Sequence, residues 1–330
     1  SCICLNMQLI AILSRIGVLN NRITGTIDAY WNKTTDLLMD RAMPAISGYG
    51  SIASNLGQIN NKGIEVTITT NNVNIPNKVR WNTSFIYSTN KNEIKHLYGN
   101  MIDVLDAEGN VIGQREDDDV QNGWYIGHGI DDIYDYKYIG IWQLGEELEA
   151  DKYGKQPGDP KLEDVNNDGV INEDDKQWLG SKIPTHRLSI TSDLNLWNCV
   201  DFAFTLRGEF GWKDIDNLAR NEDNRFFNTS NSVWTEYWTP WSPSTEYARL
   251  GADCSNPTVN IYKKRNYLKM QNLSLAYTFP KSLVRKIQVE NLRVSVNVDN
   301  AFTISGWRSS DPVMKAISPR IYTFGVNLTL

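Results

Sequence analysis

The sequence ends in Tyr322-Thr323-Phe324-Gly325-Val326-Asn327-Leu328-Thr329-Leu330, where apolar residues alternate with small or polar ones. A period of two places the two sets of side chains on opposite faces of a β-strand. The apolar face carries Tyr322, Phe324, Val326, Leu328 and Leu330, and the other face carries Thr323, Gly325, Asn327 and Thr329. This stretch therefore predicts an extended strand with one apolar and one polar face.

The same alternation recurs upstream, so the sequence predicts about eight strands. Their apolar positions are Ile23, Ile27 and Trp31; Ile64, Val66 and Ile68; Val79, Trp81, Phe85 and Tyr87; Leu188, Ile190, Leu194 and Leu196; Val200, Phe202, Phe204 and Leu206; Leu273, Leu275, Tyr277 and Phe279; and Leu292, Val294, Val296 and Val298. Each strand is about ten residues long, which is the length that a tilted strand needs to cross a bilayer. Charged residues on the opposite face, such as Arg187 and Asp193, suit the wall of a polar channel better than a dry core.

The connections between these strands alternate in length. Long or medium connections cover residues 33–61, 91–186, 211–266 and 303–320, and short ones cover 71–78, 197–199 and 280–290. Membrane barrels join their strands by brief periplasmic turns and extended external loops. The strand-like segment Tyr134–Trp142 fits this rhythm only if it lies outside the membrane. The sequence predicts an all-β fold, an antiparallel transmembrane β-barrel sector with about eight strands of a larger barrel and long extracellular loops.

The predicted domain organisation follows from these segments. Residues 19–330 form the barrel part, and residues 1–18 are left without an assigned structure because they read unlike the rest. Composition alone favours a different fold, a large β-sandwich with an aromatic core, since the chain contains 11 Trp and 15 Tyr. A net charge of −6 argues against a nucleic-acid partner. The sequence contains no run of eighteen apolar residues, so it predicts no membrane helix.

One acidic segment within the 91–186 connection has the spacing of a calcium-binding loop. Residues 164–175 read Asp164-Val165-Asn166-Asn167-Asp168-Gly169-Val170-Ile171-Asn172-Glu173-Asp174-Asp175. In an EF-hand-type loop, oxygen ligands come from alternate positions, and a glycine allows the sharp turn that follows them. The predicted Ca²⁺ ligands are Asp164, Asn166, Asp168, the Val170 carbonyl, Asn172 through water, and Asp175. The alternative is a hydrated acidic loop whose Asp and Asn residues favour turns.

Two further groups of residues are weaker candidates. Trp234, Trp238 and Trp241 crowd one connection, where they could contact a substrate or a partner protein; the alternative is that they pack the loop onto its neighbours. The acidic residues of 116–119 and the pair Asp131-Asp132 could act as the two carboxylates of a glycosidase, which must lie about 5 to 10 Å apart. Nothing in the sequence sets that separation, so solvated loop charge is the preferred interpretation and no catalytic residue is assigned.

Several segments match one family in composition and order. They are Leu19–Trp31, Asn55–Glu65, Tyr237–Pro240, and the pair Tyr267–Pro280 and Asn291–Val294. These segments resemble the SusC/RagA family of TonB-linked outer-membrane proteins, and the resemblance extends from about residue 17 to the end of the chain. The final residue, Leu330, departs from the aromatic residue that is usual in the family.

The resemblance implies a fold and a function. The fold is a 22-stranded barrel with an N-terminal plug, placed in the bacterial cell outer membrane and in contact with its lipid. The function is TonB-dependent import of glycans or other oligomers, an oligosaccharide or peptide substrate, together with a SusD-like lipoprotein. The chain would be a C-terminal fragment of the barrel without an enzymatic centre, and the TonB complex would act through a missing N-terminal part. The alternative is an outer-membrane-anchored extracellular binding or adhesion module with calcium-stabilised loops.

Overall fold

The computed structural model describes residues 6–42, 51–106, 108–216, 236–255, 257–308 and 310–329. Its short helices are α1 (Glu147–Lys152) and α2 (Lys281–Val284), with 3-10 turns at Glu173–Asp175 and Arg285–Ile287. None of the helices in these ranges is long and apolar enough to cross a membrane. In chain order the strands are β1 (Asn6–Val18), β2 (Ile23–Ala42), β3 (Ser51–Ile75), β4 (Val79–His96), β5 (Met101–Leu105), β6 (Val111–Glu116), β7 (Asp132–Tyr136), β8 (Tyr138–Ile141), β9 (Pro160–Leu162), β10 (Lys176–Ser181), β11 (His186–Leu196), β12 (Val200–Phe210), β13 (Lys213–Ile215), β14 (Tyr262–Lys264), β15 (Tyr267–Thr278), β16 (Asn291–Ser305) and β17 (Ile321–Thr329).

Nine of the described strands form one open antiparallel sheet, in the order β1-β2-β3-β4-β11-β12-β15-β16-β17. The eight predicted strands correspond to β2, β3, β4, β11, β12, β15, β16 and β17. The ninth, β1, lies in the segment to which sequence analysis assigned no structure. It pairs with β2 from Asn6 to Val18. Its apolar residues, including Leu9, Ile10, Ile12 and Leu13, occupy both faces, so a period-two signal could not reveal it.

The strands at the β1 side of the sheet are longer than predicted. β2, β3 and β4 contain 20, 25 and 18 residues, against the expected ten or so. Most of the connection predicted at residues 33–61 is therefore paired strand, in the described residues 33–42 and 51–61. Backbone N–H and C=O groups pair in a ladder whatever the side chains are, so a hairpin can extend past the end of its apolar alternation.

Strand register confirms the two-faced pattern. One cross-strand row joins residues of six neighbouring strands on the apolar face: Trp81, Leu194, Phe202, Leu275, Val296 and Phe324. The adjacent row on the other face contains Asn82, Asp193, Ala203, Ser274, Asn297 and Thr323. The apolar side chains stay open, with Phe324 76% and Leu275 52% exposed. An apolar surface of this extent is rare on a monomeric protein in water and suits contact with lipid.

The connecting segments, not the main sheet, hold the larger core of buried residues. Tyr247, Ala248, Ala252, Cys254, Val259 and Ile261 form a buried cluster, against which Tyr138 and Leu162 pack. β7 pairs with β10, and β8 pairs with β9, in small sheets separate from the main one. The segment Tyr134–Trp142 therefore lies outside the main sheet, within the connection between β4 and β11. Segments 97–185 and 236–264, which we call the loop body, share this core.

Candidate functional site

Two ion pairs, each with one buried partner, join the two halves of the loop body. Asp159 is 2% exposed, and its Oδ1 accepts hydrogen bonds from Arg249 Nε at 2.8 Å and from the Asp253 amide at 3.2 Å. Lys155 Nζ lies 2.7 Å from Asp253 Oδ2. The Lys155 ammonium and then the Ser255 hydroxyl and amide hold the pKa of Asp253 well below its usual value. Because the partners are about ninety residues apart in sequence, the pairs fix one connection against the other.

Further polar contacts support the same junction. Asp135 Oδ2 accepts hydrogen bonds from Asn260 Nδ2 and from the Tyr262 hydroxyl, both at 2.9 Å. Burial, followed by the nearby Asp135 charge, raises the pKa of Tyr262, so this phenol remains a donor at neutral pH. Sequence analysis did not identify these residues, because no local motif links partners so distant in the chain.

The three tryptophans predicted to contact a substrate or partner lie in different environments. Trp238 is 5% exposed, and its Nε1 donates a hydrogen bond to Gln143 Oε1 at 3.1 Å. Trp241 is 87% exposed, in the turn between Thr239 and Ser242. Trp234 lies outside the described residues. Trp238 thus packs the loop body internally, while Trp241 is the described tryptophan of this set that is open to a partner.

The acidic segment 164–175 turns around its own side-chain oxygens. Asp164 Oδ2 accepts hydrogen bonds from the Gly169 amide at 2.9 Å and from the Tyr153 hydroxyl at 3.0 Å. The Asn166 side chain accepts from the Asp168 amide, and the Asp168 side chain accepts from the Val170 amide. Gly169 has φ +84°, a left-handed conformation that favours glycine. The predicted turn is therefore formed at the predicted residue.

The other end of this segment is closed by Asp175, which is fully buried. Its two carboxylate oxygens accept hydrogen bonds from the amides of Val165 and Asn172, each at 2.8 Å. Asp164 Oδ1, although buried, has no hydrogen-bond partner. Among the described residues, no three His, Cys, Asp or Glu side chains are grouped as a metal site. Calcium binding by these residues stays a prediction.

Glu116, one of the acidic residues considered for glycoside hydrolysis, binds backbone amides instead. Glu116 Oε1 accepts hydrogen bonds from the amides of Leu97 and Gly99, at 2.8 and 2.7 Å. Burial would raise the pKa of Glu116, but these amides and His96 lower it overall. A general acid in glycoside hydrolysis needs a raised pKa. The environment of Glu116 is thus the opposite of the one that this chemistry requires.

The polar face of the main sheet forms a charged surface. Arg207 lies 2.7 Å and Arg187 3.7 Å from Glu209, and Arg293 pairs with Asp201 at 2.9 Å. Arg187, on the neighbouring strand β11, lies opposite Glu209, whereas Arg207 and Glu209 are both on β12. The Arg293–Asp201 pair joins β16 to β12 across β15. The face that sequence analysis predicted to be polar therefore carries paired charges, which agrees with a hydrated wall.

No protein-family model matches this chain. It is 29% identical over 303 residues to TonB-dependent receptor P26 of Formosa agariphila, covering 89% of this chain and 29% of that receptor. It is 27% identical over 329 residues to TonB-dependent receptor SusC of Bacteroides thetaiotaomicron, covering 95% of this chain and 30% of that receptor. The chain thus spans less than a third of the length of these curated relatives.

Solved structures show the same relationship at the level of the fold. The RagAB peptide transporter superposes with a TM-score of 0.69 at 20% identity, covering 98% of this chain and 35% of that chain. The RagAB peptide importer in its "closed-closed" state gives 0.68 at 22% identity. The chain is therefore similar in sequence and in fold to SusC/RagA-type TonB-dependent receptors, over about 30% of the length of such a receptor.

Proposed function

We propose that this chain forms a sector of the barrel wall, together with external loops, of a transporter that imports glycans or other oligomeric nutrients. The observation that carries the proposal is the main sheet itself, which is apolar and exposed on one face and charged and paired on the other. A wall between lipid and a water-filled channel needs this arrangement. A sandwich core would bury the apolar face instead.

The open edges of the sheet support a larger closed structure. β1 and β17 each lack a neighbour on one side within the described residues. They are the first and ninth strands of an antiparallel series, so they run in the same direction and cannot pair antiparallel with each other. An unpaired strand edge is not tolerated in the hydrocarbon region. The wall is therefore completed by an odd number of strands from outside the described chain.

The partner and the substrate follow from the relatives. The matched structures include the RagAB peptide transporter, and we propose a SusD-like surface lipoprotein as the partner of this receptor. The loop body, with Trp241 exposed on it, is the region available to such a partner. Oligosaccharides and peptides are the two candidate substrate classes, and energy reaches the barrel from the TonB complex through parts of the receptor outside this chain.

The experiment that tests this function is energy-dependent uptake by the intact receptor. Cells expressing the full-length protein and its neighbouring lipoprotein are offered fluorescent oligosaccharides and peptides, with and without dissipation of the proton gradient. The expected result is gradient-dependent accumulation of one class. Surface binding without accumulation, of either class, would refute import and support the anchored binding module.

We also propose that residues 164–175 bind Ca²⁺ and thereby fix the loop body. The support is the register of ligand positions and the partnerless, buried Asp164 Oδ1, which a cation would satisfy. The ligands are Asp164, Asn166, Asp168, the Val170 carbonyl, Asn172 through water, and Asp175. The Asp175 carboxylate would bind the ion while still accepting its hydrogen bonds from the two amides.

Calcium binding is tested by titration of the intact receptor, with calorimetry as the readout. We expect a dissociation constant of about 10⁻⁴ to 10⁻³ M, as in extracellular modules. The double variant Asp164→Asn and Asp168→Asn should abolish the heat signal. Asp151→Asn is the matched control, because this carboxylate is exposed and lies outside the segment. No signal in the native receptor at millimolar Ca²⁺, or an equal one in the double variant, would remove the proposal.

A further inference from the structure

A cavity of about 260 Å³ lies between α1, β9 and the acidic segment. Its apolar walls are Trp142, Pro160, Leu162, Val170, Ile171 and Pro257, and Tyr153, Gly169, Lys152 and Lys155 complete the lining. A cavity of roughly 150 Å³ with apolar walls binds benzene. This cavity therefore has room for a branched aliphatic side chain with part of its backbone, and is smaller than the 300 Å³ or so at which sites for whole drug-sized ligands begin.

The charged groups of the lining are already paired. Lys155 Nζ contacts Asp253 Oδ2 at 2.7 Å, and Lys152 Nζ contacts Glu149 Oε1 at 2.8 Å. No net charge is left for an ionic ligand to neutralise at these two lysines. The group that gains most from entering the cavity is thus uncharged and apolar, because burying it removes apolar surface from water on both sides.

The indole of Trp142 cannot serve as a stacking platform for a sugar. The Lys161 ammonium lies 4.0 Å from its ring centroid, and the Tyr153 ring stacks on it with centroids 5.9 Å apart and an interplanar angle of 27°. Trp142 is only 4% exposed. A pyranose that binds by stacking lays its C–H groups on an open aromatic face. Trp142 offers no such face, whereas the apolar part of the lining is suited to an aliphatic side chain.

The walls are held in position by hydrogen bonds. The Tyr153 hydroxyl donates to Asp164 Oδ2 at 3.0 Å, which ties α1 to the acidic segment. The Trp142 amide donates to the Asp159 carbonyl, and the Gly158 amide donates to the Trp142 carbonyl. Val170, 58% exposed, contributes to both the wall and the outer surface. A cavity that is already formed binds a ligand without a large ordering cost.

We propose that this cavity is a binding subsite for one aliphatic side chain of a peptide-like ligand. The inference rests on the proposed import function and narrows it, because it assigns to the loop body a preference for peptides over sugars. The subsite takes leucine, isoleucine or valine in an uncharged segment. Trp142 and Tyr153 form one wall, and the backbone and side chains of residues 169–171 form the opposite wall.

The test uses purified intact receptor and ligand-observed NMR, without any transport step. The probes are N-acetyl-leucinamide, N-acetyl-glycinamide, which lacks the side chain, and methyl β-glucopyranoside. We expect saturation transfer to the leucine side-chain methyl groups and none to the other two probes. Val170→Phe should weaken leucinamide binding by roughly tenfold or more, because the ring occupies the space of the ligand. Val170 is exposed enough for this variant to fold.

Val165→Phe is the matched control, since Val165 belongs to the same segment and is 47% exposed but does not line the cavity. The affinity of the Val165→Phe receptor for N-acetyl-leucinamide should equal that of the native receptor. Equal binding by the Val170 and Val165 variants, no binding of leucinamide, or preferential binding of the glucoside would each overturn the proposal. Import of labelled oligomers by a receptor that fails this test would refute the subsite alone, and leucinamide binding by a receptor that imports nothing would refute the function alone.

Discussion

Neutralising Asp159 tests whether the buried ion pairs hold the loop body together. The carboxylate is 2% exposed and accepts hydrogen bonds from Arg249, Asp253 and Gln156. Asp159→Asn keeps the shape of the side chain but leaves the Arg249 charge without its anion. Breaking a buried pair in this way costs about 3–5 kcal/mol. We take about 3 kcal/mol here, because the Arg249 side chain is 25% exposed and can recover part of its hydration.

This free energy should appear as faster hydrogen exchange in the loop body. Since 1.4 kcal/mol corresponds to a factor of ten, the amides of residues 155–162 and 249–254 in the intact receptor should exchange about 100-fold faster in Asp159→Asn. Lys152→Gln is the control, because it breaks the solvent-exposed pair with Glu149, whose contribution is below about 1 kcal/mol. Exchange rates that match those of the control would refute the reasoning that these pairs join the two connections.

Three further predictions concern acid, packing and the partner. The Lys155 ammonium depresses the pKa of Asp253 below 3.8, so this carboxylate stabilises the loop body above about pH 4, and the contribution is lost as the pH falls through the depressed value. In the native receptor, pepsin should therefore cut residues 249–255 progressively faster below pH 4. Asp253→Asn should remove that pH dependence. Gly63→Ala would place a methyl group 2.5 Å from the Thr89 carbonyl oxygen and against the Tyr30 hydroxyl, whereas the methyl group of Gly113→Ala meets nothing within 4 Å. Gly63→Ala should lower the unfolding free energy by about 1–3 kcal/mol, and Gly113→Ala by less than about 0.5 kcal/mol. Equal denaturant midpoints for the two variants would contradict this. Trp238→Ala should destabilise the loop body by about 3–5 kcal/mol. Trp241→Ala should leave hydrogen exchange in the loop body unchanged and should reduce co-purification of the lipoprotein with the receptor. Undiminished co-purification would show that Trp241 is not part of the interface.

Alternation alone was enough to find the strands whose two faces meet different surroundings. It located β2 and β17 and predicted which of their residues share a face, and the register of the sheet agrees. It could not find β1, whose Leu9 and Ile10 are apolar on opposite faces. It also underestimated the length of β3, because the ladder of backbone hydrogen bonds extends from Asn61 back to Ser51 whatever the side chains are.

The candidate sites divide in the same manner. The turn of the acidic segment was recognisable because the predicted ligand positions and Gly169 are close together in sequence, and a local turn needs only local residues. The environment of each tryptophan was not recognisable, because residue type does not distinguish the buried Trp238 from the exposed Trp241. Burial depends on which distant segment covers a side chain, and sequence spacing carries no record of that.

What the sequence by itself determined about this protein is therefore eight of the nine strands of the main sheet, their two faces and the family that it resembles, all of which are encoded in short periodic or contiguous patterns. What only the tertiary structure decided is the loop body, with its core, its cavity and the pairs Asp159–Arg249 and Lys155–Asp253. Those pairs join residues about ninety positions apart, and they depend on the strands holding both connections at the same end of the sheet. The physical reason is that periodicity reports the local backbone, whereas burial and ion pairing report contacts between segments that are distant in the chain.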